Sequence, residues 1–153
     1  MVNVAVMEYE ITTIVIGSMI LYLLILQYII MDYLIPAFSM LALDSVYLSH
    51  IGGPLFKPMI NNIQKEKFQL NVYGAIACYI LLILVLYKFI IKDRKSPNDA
   101  FILGFCIYGI FDSTNYALFN KYKLFPAIID SLWGGCLFYI ATLITYKILS
   151  IKY

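Results

Sequence analysis

Five stretches of this chain run for about twenty residues with almost no charge, and nothing else in the sequence constrains its fold as strongly. They cover residues 11–31, 34–51, 70–91, 100–119 and 126–149. Crossing the hydrocarbon layer of a bilayer takes roughly 20 apolar residues in a helix. The first stretch, Ile11 to Met31, has no charged residue, and its polar members are only Thr12, Thr13, Ser18 and Gln27. It lacks the basic flank and small-residue cleavage site of a signal peptide. It also lacks a polar face on which to lie along a membrane surface. It reads as a spanning helix.

The bulk composition agrees. Of 153 residues, 63% are hydrophobic and only 13% charged, about half the charge that a water-facing surface carries. A soluble globular domain, a disordered chain and a nucleic-acid-binding module are thereby excluded. A net charge of +2 points to no nucleic-acid partner, and the partner that the composition implies is the lipid bilayer. Cys78, Cys106 and Cys136 are odd in number, sit inside apolar runs and form no Cys-x-x-Cys pair, so they read as small apolar fillers. No metal or cofactor motif is present. Lysine outnumbers arginine ten to one, a bias that fits an AT-rich genome such as that of a large DNA virus or a low-GC bacterium.

The expected fold is all-α, a polytopic transmembrane bundle with a four-helix core and an extra N-terminal spanning helix, forming one domain over residues 1–153. Asp32 and Pro36 leave two readings, a tight hairpin at Met31–Ile35 or one long bent helix; the hairpin is favoured, because Asp caps helices, Pro is tolerated in a first turn and forty residues in one helix would run ~60 Å. Gly52-Gly53-Pro54 reads as a helix stop. The following loop, Pro54 to Gln69, has room for a short amphipathic surface helix. Lys92 to Asp99 is the most polar stretch and reads as a plain loop. Five spans put the N-terminus and the loops 52–69 and 120–125 on one side, here side A. The turn 31–35, the loop 92–99 and the C-terminus fall on side B. Lys and Arg divide five to six between them, so the cluster Lys88 to Lys95 decides. It places the C-terminus in the cytoplasm and the N-terminus outside.

Three acids lie within spans: Asp44, Asp112 and Asp130. A carboxylate at membrane depth costs ~2.5–3.5 kcal/mol on insertion scales, so it faces protein or a wet cavity. Helical rise puts all three roughly 7–11 Å below the same face, side A. Each has companions one turn away on its own helix: Tyr47 for Asp44, Tyr108 and Asn115 for Asp112, and Trp133 for Asp130. Gly109, Gly134 and Gly135 allow close helix approach. His50, Ser49, Asn71, Tyr73 and Tyr79 lie near the same level. The expected site is a polar, aromatic-walled pocket of Asp44, Tyr47, His50, Tyr108, Asp112, Asn115, Asp130 and Trp133. A cation, or Lys121 or Lys123 reaching in, would neutralise it. Tyr9, Tyr122, Tyr146 and Tyr153, at span ends, read as interfacial anchors.

Over about residues 32–149 the chain resembles a family of small predicted membrane proteins catalogued as domain of unknown function 2177. Three segments carry the resemblance: Leu41 to Leu48, Tyr108 to Ala117 and Asp130 to Gly135. They are similar to a Leu-Asp-then-aromatic motif, a Tyr-Asp-x-Thr-Asn motif and an Asp-x-x-Trp-Gly motif. Tyr47 stands where the family tends to have Trp, and Phe111 where it has Tyr. The resemblance implies a four-helix core and brings no activity with it.

Three functions compete. Small size, short loops and the lack of a nucleophile–base pair favour a structural or assembly component, with other membrane or capsid proteins as partners and a virion's internal membrane as one host. The acid level favours a proton- or small-ligand-handling protein. An Asp acting as general acid or base on a lipid-like substrate would make it a membrane enzyme, but no diphosphate-binding, His-x-x-x-His or Ser-His-Asp pattern accompanies it.

Overall fold

The computed structural model describes the backbone of residues 4–153 and the side chains of residues 12–24, 26–27 and 30–153. Glu8, Tyr9 and Glu10 lie outside the described side chains. Helix α1 runs Val4–Tyr47, α2 Gly53–Gln64, α3 Val72–Leu86, α4 Pro97–Leu118 and α5 Leu124–Ile148, with no strand among the described residues. Short π-helical turns, Leu48–Gly52 and Tyr87–Ile91, prolong α1 and α3. Among the described residues, four segments are long and apolar enough to cross a membrane: Ile30–Gln64, Val72–Ile91, Pro97–Leu118 and Leu124–Ile148. A shorter apolar stretch, Thr12–Leu24, precedes them within α1. The expected all-α bundle, a four-helix core with an N-terminal helical segment added, is what the chain forms.

Two expected breaks are absent. The hairpin at Met31–Ile35 does not form, and residues 11–31 and 34–51 join in one helix of 44 residues, about 66 Å long. Asp32 is the only turn-forming residue in Met31-Asp32-Tyr33-Leu34-Ile35, and it is flanked by bulky apolar and aromatic residues with no Gly to take a left-handed conformation. Pro36 removes a single helical hydrogen bond, and it is fully buried, where packing holds the helix together around it. The second missing break is at Gly52-Gly53-Pro54. Both glycines keep right-handed helical φ angles of −61° and −56°. The pair serves the π-turn instead, for a Cβ on Gly53 would lie 2.4 Å from the Leu48 carbonyl oxygen. Pro54 falls in the first turn of α2, where no N–H is needed.

Helix α2 is the expected amphipathic one. Its Met59 is buried with Tyr122 and Ala127, and Phe56 and Ile63 pack against them, so α2 covers the connection between α4 and α5. The main core joins Met40 of α1, Leu82 and Leu86 of α3, Ala100 of α4, and Leu137 and Phe138 of α5. Closest of all are α4 and α5, where a Cβ on Gly104 would stand 2.2 Å from the Gly134 carbonyl oxygen. Helix α4 begins inside the expected loop because Ser96 and Asp99 form a reciprocal capping box around Pro97. Tyr146 corrects its reading as an interfacial anchor. It is buried, and its hydroxyl donates to the Lys95 carbonyl at 2.8 Å, tying α5 to that loop.

Candidate functional site: a carboxylate and aromatic network

The spanning helices bring the three acids inward. Asp44 is 6% exposed and Asp112 1%, while Asp130 is half-buried. Asp44 on α1 accepts hydrogen bonds from the Tyr79 hydroxyl of α3 and, at 2.8 Å, from the Trp133 indole N–H of α5. One carboxyl group thus joins three helices, with both of its oxygens engaged.

One turn further along α1, the Tyr47 hydroxyl donates to Asp130 of α5 at 2.9 Å. The Tyr47 ring also stacks on Trp133, centroids 4.5 Å apart and planes 8° from parallel. The exchange is reciprocal. Each helix offers an acid and, three residues later, an aromatic donor, and each acid takes the donor of the other helix.

Asp112 sits apart from that clasp. Its Oδ1 accepts from the Tyr122 hydroxyl at 2.6 Å. Its Oδ2 lies 3.5 Å from the Ser131 hydroxyl, which itself donates to the Ala127 carbonyl at 2.7 Å. Tyr122, outside the spans, is buried under α2 rather than anchored at an interface. Burial, reinforced by the Asp112 carboxyl, holds its phenol above the usual range, so it remains a donor at ordinary pH.

The remaining expected residues divide. Tyr108 packs over Gly134, where a Cβ would come 2.3 Å from its ring. Asn115 turns back on its own helix, donating to the Phe111 carbonyl at 2.9 Å, and does not join Asp112. His50 is exposed and pairs through Nδ1 with the Val46 carbonyl at 3.0 Å, away from the acids. Ser49 bonds the Ser45 carbonyl, Asn71 caps α3, and Tyr73 is 86% exposed, so none of these enters the network. Lys121 reaches Asn62 at 3.4 Å rather than an acid. Ser131 and Tyr122 were missed as partners of Asp112; one is an unremarked serine and the other a tyrosine at a span end. Among the described residues no three His, Cys, Asp or Glu side chains converge to hold a metal ion.

A family model described as "Predicted membrane protein (DUF2177)" matches residues 28–147. No curated protein and no solved structure matches the chain. The matched stretch contains every residue of the network.

Proposed function

The chain belongs to the DUF2177 family of predicted membrane proteins, and on that premise we propose that it serves as a structural component of its membrane. In this reading it is a small bundle locked by its own buried acids and available for assembly with other membrane proteins. One observation carries it: among the described residues every hydrogen bond to Asp44, Asp112 and Asp130 comes from a neutral hydroxyl or indole. Asp44 and Asp130 each link helices that the sequence places far apart, and Asp112 ties α4 to the loop and helix that follow it, which is what staples do.

The competing readings are less well supported. A proton relay needs groups that both accept and donate, and an indole N–H only donates. Asp44 and Asp130 therefore meet through stacked rings and not through a chain of hydrogen bonds. A carboxylate cation site draws on several converging ligands, and among the described residues no group of three His, Cys, Asp or Glu side chains supports one. The assembly part of the reading draws on the N-terminal half of α1, whose described side chains from Thr12 to Ile30 are all exposed and mostly apolar.

Because α1 enters the bundle without reversing, we place both termini on the side of Lys88 to Lys95, the cytoplasmic side by its positive charge. The test is reconstitution in liposomes carrying a pH-sensitive dye. The protein should pass protons no faster than empty vesicles, while Asp44→Leu lowers its thermal stability. A proton flux that disappears in Asp130→Asn would overturn the structural reading.

A further inference from the structure

Away from the acid network, the end of α2 gathers lysines. The helix closes at Gln64 with Lys65 in a left-handed turn, φ 63°, its N–H bonded to the Asn61 carbonyl at 2.9 Å. Asn61, Asn62, Lys65, Glu66 and Lys67 line an open hollow of about 380 Å³ at this turn. The loop between α4 and α5 supplies a sixth residue. Tyr122 is buried with Met59 of α2, and the Lys123 N–H meets the Met59 sulfur at 3.1 Å. Lys121 is thereby held at the end of α2, where its ammonium donates to the carbonyl and the side-chain oxygen of Asn62, both at 3.4 Å.

The hollow is rich in donors and poor in acceptors. Asn62 Oδ1 takes Lys121, and Asn61 Oδ1 takes the Phe68 N–H at 2.5 Å, so each amide has its oxygen engaged and its NH2 group left to offer. The ammonium groups of Lys65, Lys67 and Lys121 stand beside them, against the single acid Glu66. Lys65 comes within hydrogen-bonding reach of Lys121, yet ammonium groups only donate, so neither satisfies the other. Contact with Lys65 holds Lys121 below the ordinary lysine range. An anion seated between the two would relieve their repulsion and accept from both.

We infer that Lys65, Lys67 and Lys121, with the amide NH2 groups of Asn61 and Asn62, bind a phosphate group at the side-A surface. A phosphate brings several acceptor oxygens and more than one negative charge, enough to engage two ammonium groups and an amide together. Chloride offers a single centre, and a carboxylate fewer oxygens and one charge. The group belongs either to the free ion or to a phospholipid head, since the hollow lies at the level where the spans leave the bilayer. None of its residues is in the acid network, so the site stands or falls independently of the structural reading.

The protein in dodecyl maltoside is titrated calorimetrically at neutral pH with sodium phosphate, dioctanoyl phosphatidic acid or dioctanoylglycerol, at constant ionic strength and with empty micelles subtracted. One phosphate group per chain is expected, with no binding of dioctanoylglycerol. Phosphatidic acid binding at least about tenfold tighter than inorganic phosphate identifies a lipid head as the source, and equal affinities identify the free ion. Lys65→Gln and Lys121→Gln should each weaken binding about fivefold, and Glu66→Gln should tighten it roughly twofold. Lys147→Gln, on side B, should change nothing. All four side chains are exposed, so the melting temperature should hold; where a lysine variant does not fold, Glu66→Gln decides alone. Phosphate that binds no better than chloride, or affinity indifferent to Lys65→Gln, Lys121→Gln and Glu66→Gln alike, overturns the inference. So does an equal loss in Lys147→Gln, since the attraction would then be to the net charge of the chain.

Discussion

Gly104 and Gly109 lie five residues apart on α4, both facing α5, and the structure assigns them opposite tolerances. A Cβ on Gly104 would stand 2.2 Å from the Gly134 carbonyl oxygen and 2.7 Å from the Phe138 ring. A Cβ on Gly109 would meet nothing nearer than the Ser131 hydroxyl oxygen at 3.7 Å, an ordinary contact. Ordinary contact begins at 3.4 Å, so Gly104→Ala must part the two helices by roughly 1 Å against a backbone atom that no rotamer can move. A gap of 0.5–1 Å forfeits about a quarter to a half of each dispersion contact along the seam. Overpacking of this kind costs about 1–3 kcal/mol. Alanine gains back at most ~1 kcal/mol of helix propensity. Gly104→Ala should therefore lose about 1–3 kcal/mol, and Gly109→Ala should equal the native protein or exceed it slightly. Trp133 is the chain's single tryptophan and precedes Gly134, so its emission reports the seam directly during unfolding in detergent. A Gly104→Ala protein as stable as the native one would refute the close-packing argument, and a Gly109→Ala protein less stable than Gly104→Ala would invert it.

Asp44→Leu strips the acceptor from Tyr79 and Trp133 and should cost roughly 1–3 kcal/mol over the two bonds, with a shift in Trp133 emission that Asp44→Asn reproduces only in part. Ser96→Ala removes the cap of α4 and should cost about 1 kcal/mol in the same unfolding assay. Tyr146→Phe leaves the Lys95 carbonyl without its donor; a loss of about 1–2 kcal/mol and faster hydrogen exchange around residues 92–96 should follow. Deleting residues 1–27 should change bundle stability by no more than ~0.5 kcal/mol, because the described side chains from Thr12 to Leu24 are all exposed. A large loss there would mean that the N-terminal arm packs on the bundle.

The fold was legible where its signal was physical length. Residues 70–91, 100–119 and 126–149 are apolar for one bilayer thickness and end in polar loops, and α3, α4 and α5 occupy nearly those ranges. What failed was the reading of interruptions. Asp32 and Pro36 read as a reversal, yet a proline takes only one bond from a helix, and burial of Pro36 holds the helix together around it. Gly52 and Gly53 read as a stop, yet glycine also allows the tighter approach that a π-turn demands. The residue types were read correctly as special, but a single chain does not say which of two special conformations its neighbours will enforce.

Counting from span ends gives the acids an expected level because helical rise is fixed. Azimuth is not fixed in that way. Asn115 and His50 lie at suitable depths and face elsewhere, and Tyr122 is outside α4 and α5 yet folds back beneath α2 to reach Asp112. One pairing could nevertheless have been deduced. Asp44 with Tyr47, and Asp130 with Trp133, are two copies of the same spacing, an acid followed three residues later by an aromatic donor. Helices α1 and α5 run antiparallel through the bundle, so the donor of each copy falls opposite the acid of the other once their depths agree. The stacked rings are then forced together between the two acids, at 4.5 Å. The same rule leaves Asp112 outside the clasp. Its three-residue companion is Asn115, a side chain short enough to return to its own backbone, and that leaves its carboxyl to the loop hydroxyl of Tyr122 and to Ser131 of α5.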